Sequence, residues 1–135
     1  MHASIRFLRE GWDVIGLDNM NDYYSVVLKR DRLKEIANEA IRLERSFEMF
    51  EYDLNSTVWE RLRAYNFEAI IHLAAQAGVR YSLENPRAYL DSNILGFQSV
   101  LEFVESQSIQ SFVYASSSSV YGKSSVQPFT EIEAC

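Results

Sequence analysis

Short apolar runs that resemble strands alternate with helical stripes along the chain, and this alternation limits the fold more than any other feature. Three runs are almost continuously apolar, as expected for strands that helices cover on both faces. They are residues 13–17 (DVIGL), 67–73 (FEAIIHL) and 111–115 (SFVYA). A fourth run, residues 47–52 (FEMFEY), alternates apolar with polar residues, which is typical of a strand nearer the edge of a sheet.

Helical patterns lie before and between these runs. Apolar residues recur every three or four positions in four stretches, and the clearest stripe contains Leu90, Ile94, Phe97, Leu101 and Val104. Pro86 stands near the start of that helix, where proline is tolerated. Asn55 or Ser56 is predicted to cap the N-terminus of another helix, whose apolar residues are Val58, Leu62 and Tyr65. Helices and strands in this order form a parallel α/β sheet, so we expect one α/β domain over residues 1–135.

Composition excludes several classes of protein. Thirteen basic residues against nineteen acidic ones give a net charge of −6 without a basic cluster, which argues against nucleic acid as a partner. No apolar run approaches the roughly 18 residues of a membrane helix, and the N-terminal residues lack the layout of a signal peptide. The single cysteine, Cys135, cannot form an internal disulfide, and no residues have metal-ligand spacing. We therefore expect a cytoplasmic protein without a metal.

Polar residues after the first two strands are candidates for ligand binding. Asp18 follows the first strand, where an acid in a dinucleotide fold binds the adenosine ribose hydroxyls and repels a 2′-phosphate. Aspartate followed by asparagine is also common turn chemistry. Asp53 either accepts a hydrogen bond from an adenine amino group or caps a helix. Asn93 borders the clearest helical stripe, either as a surface amide or as a residue that holds a loop or a ligand.

The ends of the third and fourth strands carry different chemistry. Small residues dominate positions 73–78, which allows either a close ligand or tight strand-to-helix packing, and we interpret His72 as a core histidine. The serines of residues 116–122 could hydrogen-bond a substrate oxygen during proton transfer, or form a serine-rich loop. Tyr121 lacks a lysine four residues later, where Ser125 stands, so we interpret Tyr121 as structural.

Four ordered motifs resemble one family. The segment at residues 18–24 (DNMNDYY), followed by Leu28-Lys29 and Arg32-Leu33, is similar to the UDP-glucuronate 4-epimerase group of the extended short-chain dehydrogenases. The other similar segments are residues 72–86, 92–97 and 114–122. Such a set of long motifs in the right order is far more specific than any single short pattern. The resemblance therefore implies a partial doubly wound, Rossmann-like parallel sheet and an NAD cofactor.

The resemblance also implies roles for individual residues. Ser117 matches the family's catalytic serine or threonine, while Ser118 and Ser119 would lie beside the sugar. Arg80 would face the substrate, where a cation could hold a diphosphate or a uronate carboxylate, or it forms a surface ion pair. The residues implied to lie along NAD are Asp18, Asn19, Asp53, Leu54, Ala74, Ala75 and Asn93.

The chain also departs from the family pattern at both ends. The family opens with a strand and a glycine-rich turn, whereas Met1 here already stands inside the helix that follows them. The family's Tyr-x-x-x-Lys pair and its C-terminal substrate domain would come after the last residue, Cys135. We therefore expect a fragment that lacks the first strand and the substrate domain and that is inactive alone.

For the longer parent protein, the resemblance implies reversible 4-epimerisation of a UDP-sugar, with UDP-glucuronate as the expected substrate and a C4-keto intermediate. A homodimer is expected for this parent. A related nucleotide-sugar dehydratase or decarboxylase is the alternative within the same class of enzymes. A non-catalytic remnant is the alternative from another class.

Overall fold

The structure, a computed structural model, describes residues 1–122 and 128–131. Ser125 and Cys135 lie outside the described residues. Strands and helices alternate as the apolar pattern predicts, and each strand begins and ends within two residues of its predicted bounds. The elements are α1 His2–Arg9, β1 Val14–Asp18, α2 Val26–Arg42, β2 Phe47–Glu51, α3 Val58–Leu62, β3 Ala69–His72, α4 Tyr81–Glu84, α5 Pro86–Leu90, a π-helical turn Asp91–Leu95, α6 Gly96–Gln107, β4 Ser111–Tyr114 and a 3-10 turn Ser118–Tyr121.

The four strands form two parallel pairs. In the first pair, β1 lies beside β2, with Val14 opposite Phe47. In the second pair, β3 lies beside β4, with Ala69 opposite Ser111. Within the described residues no backbone hydrogen bond joins β1 to β3, so each pair is a separate two-stranded sheet. This arrangement agrees with the prediction of a partial doubly wound sheet that lacks one strand, because no strand of the described residues lies between β1 and β3 to pair with both.

The strands of the two sheets point in the same direction. The residues just before β1 and β3, Trp12 and Phe67 among them, line one cavity of about 560 Å³. The residues that follow the same two strands, Asn19 and Leu73 among them, line a second cavity of about 540 Å³. Because the starts of both strands meet at one edge and their ends at the other, the carboxyl ends of all four strands lie on one side of the fold.

A shared apolar core holds the two sheets together on one face. Ile15 of β1 and Ile70 of β3 both pack against the same buried cluster, which consists of Phe50, Val58, Leu62 and Phe103. The helices α3 and α6 therefore bridge the two strand pairs. On the other face, α1 and α2 cover the first pair through a second cluster of Leu8, Ile36 and Ala40.

The prediction that residues 67–73 and 111–115 form strands buried on both faces is wrong. Phe112 packs against Phe97 of α6, with ring centroids 6.3 Å apart. Val113 points to the other side and is 55% exposed, and Ile71 on the neighbouring strand is 38% exposed. The physical reason is that the Leu8 cluster under α1 and α2 includes no residue of β3 or β4. Within the described residues, this second sheet is covered on one face.

The long helical stripe begins as predicted, and the shorter helix before it begins one residue later than predicted. Pro86 occupies the first turn of α5, and the side chain of Asn85 caps the helix by accepting a hydrogen bond from the Ala88 N–H at 3.3 Å. For α3 the capping position is Thr57, without a side-chain capping bond. The hydroxyl of Ser56 donates to the Asp53 carbonyl at 2.6 Å and accepts from the Val58 N–H at 3.3 Å, so Ser56 still provides an acceptor for the first N–H of α3. None of the described helices has the length and apolarity required to cross a membrane.

Candidate cofactor site

One cavity gathers most of the residues predicted to contact the cofactor. It measures about 540 Å³ and opens at the carboxyl ends of β1, β2 and β3, the edge at which ligands bind in open α/β sheets. Lys29 and Arg32 of α2 also line it. Of the seven residues predicted to lie along NAD, six line this cavity, namely Asp18, Asn19, Asp53, Leu54, Ala74 and Ala75.

Asp18 both shapes the loop after β1 and carries a charge on the cavity wall. Its Oδ1 accepts a hydrogen bond from the Met20 N–H at 2.7 Å, which is the turn chemistry considered as the alternative role. The same Oδ1 lies 3.1 Å from the ammonium of Lys29. Within the described residues, Oδ2 of Asp18 has no hydrogen-bond partner, and the side chain is 46% exposed. The turn contact therefore leaves one carboxylate oxygen available to a ligand.

Asp53 and Asn19 join the ends of the first two strands. The amide of Asn19 donates to Oδ2 of Asp53 at 2.9 Å, and the N–H of Asn55 donates to Oδ1 at 2.9 Å. Partial burial by itself raises the pKa of Asp53, but the hydrogen bonds from Asn55 and Asn19 outweigh it and hold that pKa below its usual range. Asp53 is therefore ionised at neutral pH and fixes the rim of the cavity.

Asn93 lies behind the cavity wall and holds a loop that forms part of it. Its Oδ1 accepts a hydrogen bond from the Gln76 N–H at 2.8 Å, and its Nδ2 donates to the Gln76 carbonyl at 3.0 Å. Gln76 is buried and directly follows Ala74 and Ala75. The π-helical turn brings Asn93 to this loop. Direct contact between Asn93 and NAD stays a prediction.

We expect the substitution Asn93→Ala to lower the free energy of unfolding by about 1–3 kcal/mol, because it leaves a partly buried N–H and carbonyl of Gln76 without partners. Urea denaturation followed by circular dichroism measures this change. Gln98→Ala is the matched control, since the Gln98 side chain bonds Glu102 on the exposed surface. Equal losses in the two variants would show that Asn93 does not stabilise the loop.

Tyrosines connect the loop after β1 to the loop after β3, which sequence reasoning missed. Tyr23 packs against Tyr81, with ring centroids 4.9 Å apart. The hydroxyl of Tyr89 donates to the carbonyl of Ala77 at 3.0 Å and also to that of Gly78. Gly78 has φ +99°, and a side chain at this position would collide with the hydroxyl of Tyr23. The small residues at positions 73–78 predicted a close ligand or tight packing, but nothing in the spacing predicted the tyrosine partners of Gly78.

The residues predicted to lie near the substrate are outside the cavity lining. Arg80 is exposed, and within the described residues its guanidinium forms no ion pair. Ser117 caps the turn after β4, and its Oγ lies 3.2 Å from Oγ of Ser119. Ser118 is exposed in the same turn. Because β4 is parallel to β3, these serines lie at the same edge of the fold as the cavity.

Two aromatic residues have packing roles. His72 packs against Phe97, with ring centroids 5.3 Å apart, and burial lowers the pKa of His72, so it is neutral at pH 7. Tyr121 stacks on Phe129, with ring centroids 4.8 Å apart and planes 8° from parallel. Both contacts agree with the structural interpretation of these residues. In the part of the chain that the structure describes, no three His, Cys, Asp or Glu side chains are arranged to hold a metal ion.

Comparison with curated proteins gives high similarity over part of their length. The chain is 47% identical to protein CapI of Staphylococcus aureus over 129 residues, which covers 96% of this chain and 37% of that protein. It is also 47% identical to UDP-glucuronate 4-epimerase 4 of Arabidopsis thaliana over 133 residues, which covers 96% of this chain and 29% of that protein. The chain thus spans about a third of the length of the curated relatives that it matches.

Comparison with solved structures shows the same fold. The crystal structure of UDP-glucuronic acid 4-epimerase from Bacillus cereus, in complex with UDP-4-deoxy-4-fluoro-glucuronic acid and NAD, superimposes with a TM-score of 0.79. The alignment has 24% identity and covers 99% of this chain and 41% of that one. This likeness establishes the Rossmann-like α/β architecture of the chain.

One protein-family profile matches the whole sequence. Residues 1–135 match the profile of the family described as GDP-mannose 4,6 dehydratase. The four motifs and the superposition agree with this match. The chain therefore belongs to the GDP-mannose 4,6 dehydratase family, within the extended short-chain dehydrogenases that comprise NAD-dependent nucleotide-sugar epimerases and dehydratases.

Proposed function

We propose that this chain forms the adenosine side of the NAD site in a UDP-sugar 4-epimerase, and that the substrate of the longer enzyme is UDP-glucuronate. One observation carries the proposal. Six residues expected along NAD, from three different strand ends, line a single cavity at the edge of the sheet where dinucleotides bind.

The donor and acceptor groups on the cavity wall fit the adenosine half of NAD. The Oδ2 of Asp18 can accept hydrogen bonds from ribose hydroxyls, and its negative charge disfavours a 2′-phosphate. The ionised carboxylate of Asp53 can accept from the adenine amino group. Ala74 and Ala75 are exposed and small, so they allow a flat ligand to approach the backbone. These features support NAD as the cofactor.

The substrate assignment is supported by the names of relatives and by two exposed groups. Relatives 47% and 46% identical to the chain are UDP-glucuronate 4-epimerases. The guanidinium of Arg80 could bind a uronate carboxylate or a diphosphate with two parallel hydrogen bonds. When bound, NAD supplies the redox chemistry at sugar C4. The hydroxyl of Ser117 would hydrogen-bond the sugar O4 while that oxygen loses and regains its proton.

A nucleotide-sugar dehydratase is the second candidate, because the family that matches all 135 residues is described as GDP-mannose 4,6 dehydratase. The cofactor site would be the same in both enzymes. The two functions differ in what happens after oxidation at C4, and therefore in the product.

A chimeric enzyme tests the proposal. Residues 1–135 replace the aligned segment of the Arabidopsis UDP-glucuronate 4-epimerase 4, and the purified protein is incubated with NAD and UDP-glucuronate. We expect UDP-galacturonate as the product, and we expect Asp18→Ala to narrow the preference for NAD over NADP. A chimera that folds but binds no NAD would refute the proposed cofactor site. Loss of water or carbon dioxide from the sugar would favour the dehydratase or the decarboxylase.

A further inference from the structure

Lys29 occupies an unusual place for a lysine. It lies in the first turn of α2, where the positive end of the helix dipole disfavours a cation, yet its side chain is only 18% exposed. Its ammonium lies 3.1 Å from Oδ1 of Asp18 and 3.5 Å from Oδ1 of Asn21. Lys34, further along the same helix, is 73% exposed and pairs with Asp31 on the surface. Specific contacts with the cavity wall therefore hold Lys29 in place.

The contact between Lys29 and Asp18 determines which carboxylate oxygen of Asp18 is available to a ligand. Lys29 and the Met20 N–H both bind Oδ1, which immobilises the carboxylate and leaves Oδ2 without a partner in the described part of the chain. The Asp18 carboxylate in turn neutralises the ammonium, and both groups line the cavity. Without the carboxylate, the ammonium would be a partly buried cation beside the expected position of the ribose.

We propose that Lys29 is a specificity-determining residue of this site, in two linked ways. In the unchanged chain it orients Asp18 so that Oδ2 accepts the ribose hydroxyls of NAD. When Asp18 is made neutral, Lys29 becomes the ligand of the 2′-phosphate of NADP. This inference rests on the proposed NAD site, and it assigns the choice between NAD and NADP to the pair rather than to Asp18 alone.

The experiment measures NAD and NADP affinities by calorimetric titration of the chain and of the chimera. We expect Asp18→Asn to raise the affinity for NADP relative to NAD by about tenfold or more, since a charge-assisted hydrogen bond to phosphate replaces a repulsion. Adding Lys29→Met should remove most of that gain, whereas Lys29→Arg should keep it. Lys29→Met alone should weaken NAD binding several-fold, because the Asp18 side chain is then held only by the Met20 N–H.

Two controls separate Lys29 from other cations. In the Asp18→Asn background, Lys34→Met should leave the ratio of affinities unchanged. Arg32 lines the same cavity, so Arg32→Met is made in that background as well. This inference is overturned if the gain in NADP affinity persists after Lys29→Met, or if Arg32→Met removes that gain instead. Neither result would contradict the proposed NAD site. Failure of NAD to bind both the chain and the chimera overturns the proposed function and this inference together.

Discussion

Replacing Ser117 with alanine is expected to lower the turnover of the chimeric epimerase by about 10²–10⁴-fold, the range over which a positioned proton-transfer group contributes. The hydroxyl lies in the turn after β4, at the same edge of the fold as the cofactor cavity. Its loss removes a hydrogen bond to the sugar oxygen that loses its proton. Steady-state kinetics with UDP-glucuronate measure the effect.

The neighbouring serines are the matched controls for Ser117. Ser118→Ala and Ser119→Ala remove hydroxyls from the same exposed turn, and we expect smaller losses of turnover from both. Ser119 bonds the Ser117 hydroxyl at 3.2 Å, so its loss should alter the orientation of Ser117 without removing the reacting group. NAD affinity should stay close to that of the parent chimera in all three variants. A larger loss at Ser118 or Ser119 would assign the catalytic role to another serine.

Phe103→Ala is expected to lower the free energy of unfolding of the chain by about 3–5 kcal/mol, as for other buried phenylalanines. Phe103 is 3% exposed, and its ring lies 5.0 Å from the ring of Trp59 and 5.9 Å from that of Phe67. It belongs to the cluster that joins the two strand pairs, so the cavity it leaves would weaken the only described core shared by both sheets. Urea denaturation monitored by tryptophan fluorescence measures the change.

Leu101→Ala on the same helix is the control for Phe103. Leu101 is 43% exposed, so we expect its truncation to cost less than about 1 kcal/mol. Phe103→Leu, which keeps part of the buried volume, should fall between the two. If Phe103→Ala were no more destabilising than Leu101→Ala, the cluster around Phe103 would not be what holds the two sheets together.

The local sequence pattern was sufficient to predict where the helices and strands lie. It was not sufficient to predict which of their faces are buried. The stripe from Leu90 to Val104 predicted a helix, because helical periodicity follows from backbone geometry alone, and α5, the π-helical turn and α6 occupy that stretch. The run at residues 111–115 predicted a strand, and β4 is there. The prediction that this strand is buried on both faces was wrong. An apolar run shows that its side chains could be buried, but it does not show whether a helix is present to cover them.

The sequence by itself determined the order of helices and strands, the parallel α/β class, and the polar residues that follow each strand. These features depend on neighbours along the chain. Only the tertiary structure decided that Lys29 binds Asp18, that Asn93 binds the backbone of Gln76, and that six predicted residues share one cavity. Such contacts join residues 11 or more positions apart, so they exist only after the elements have packed, and packing depends on the shapes and burial of whole faces rather than on local spacing.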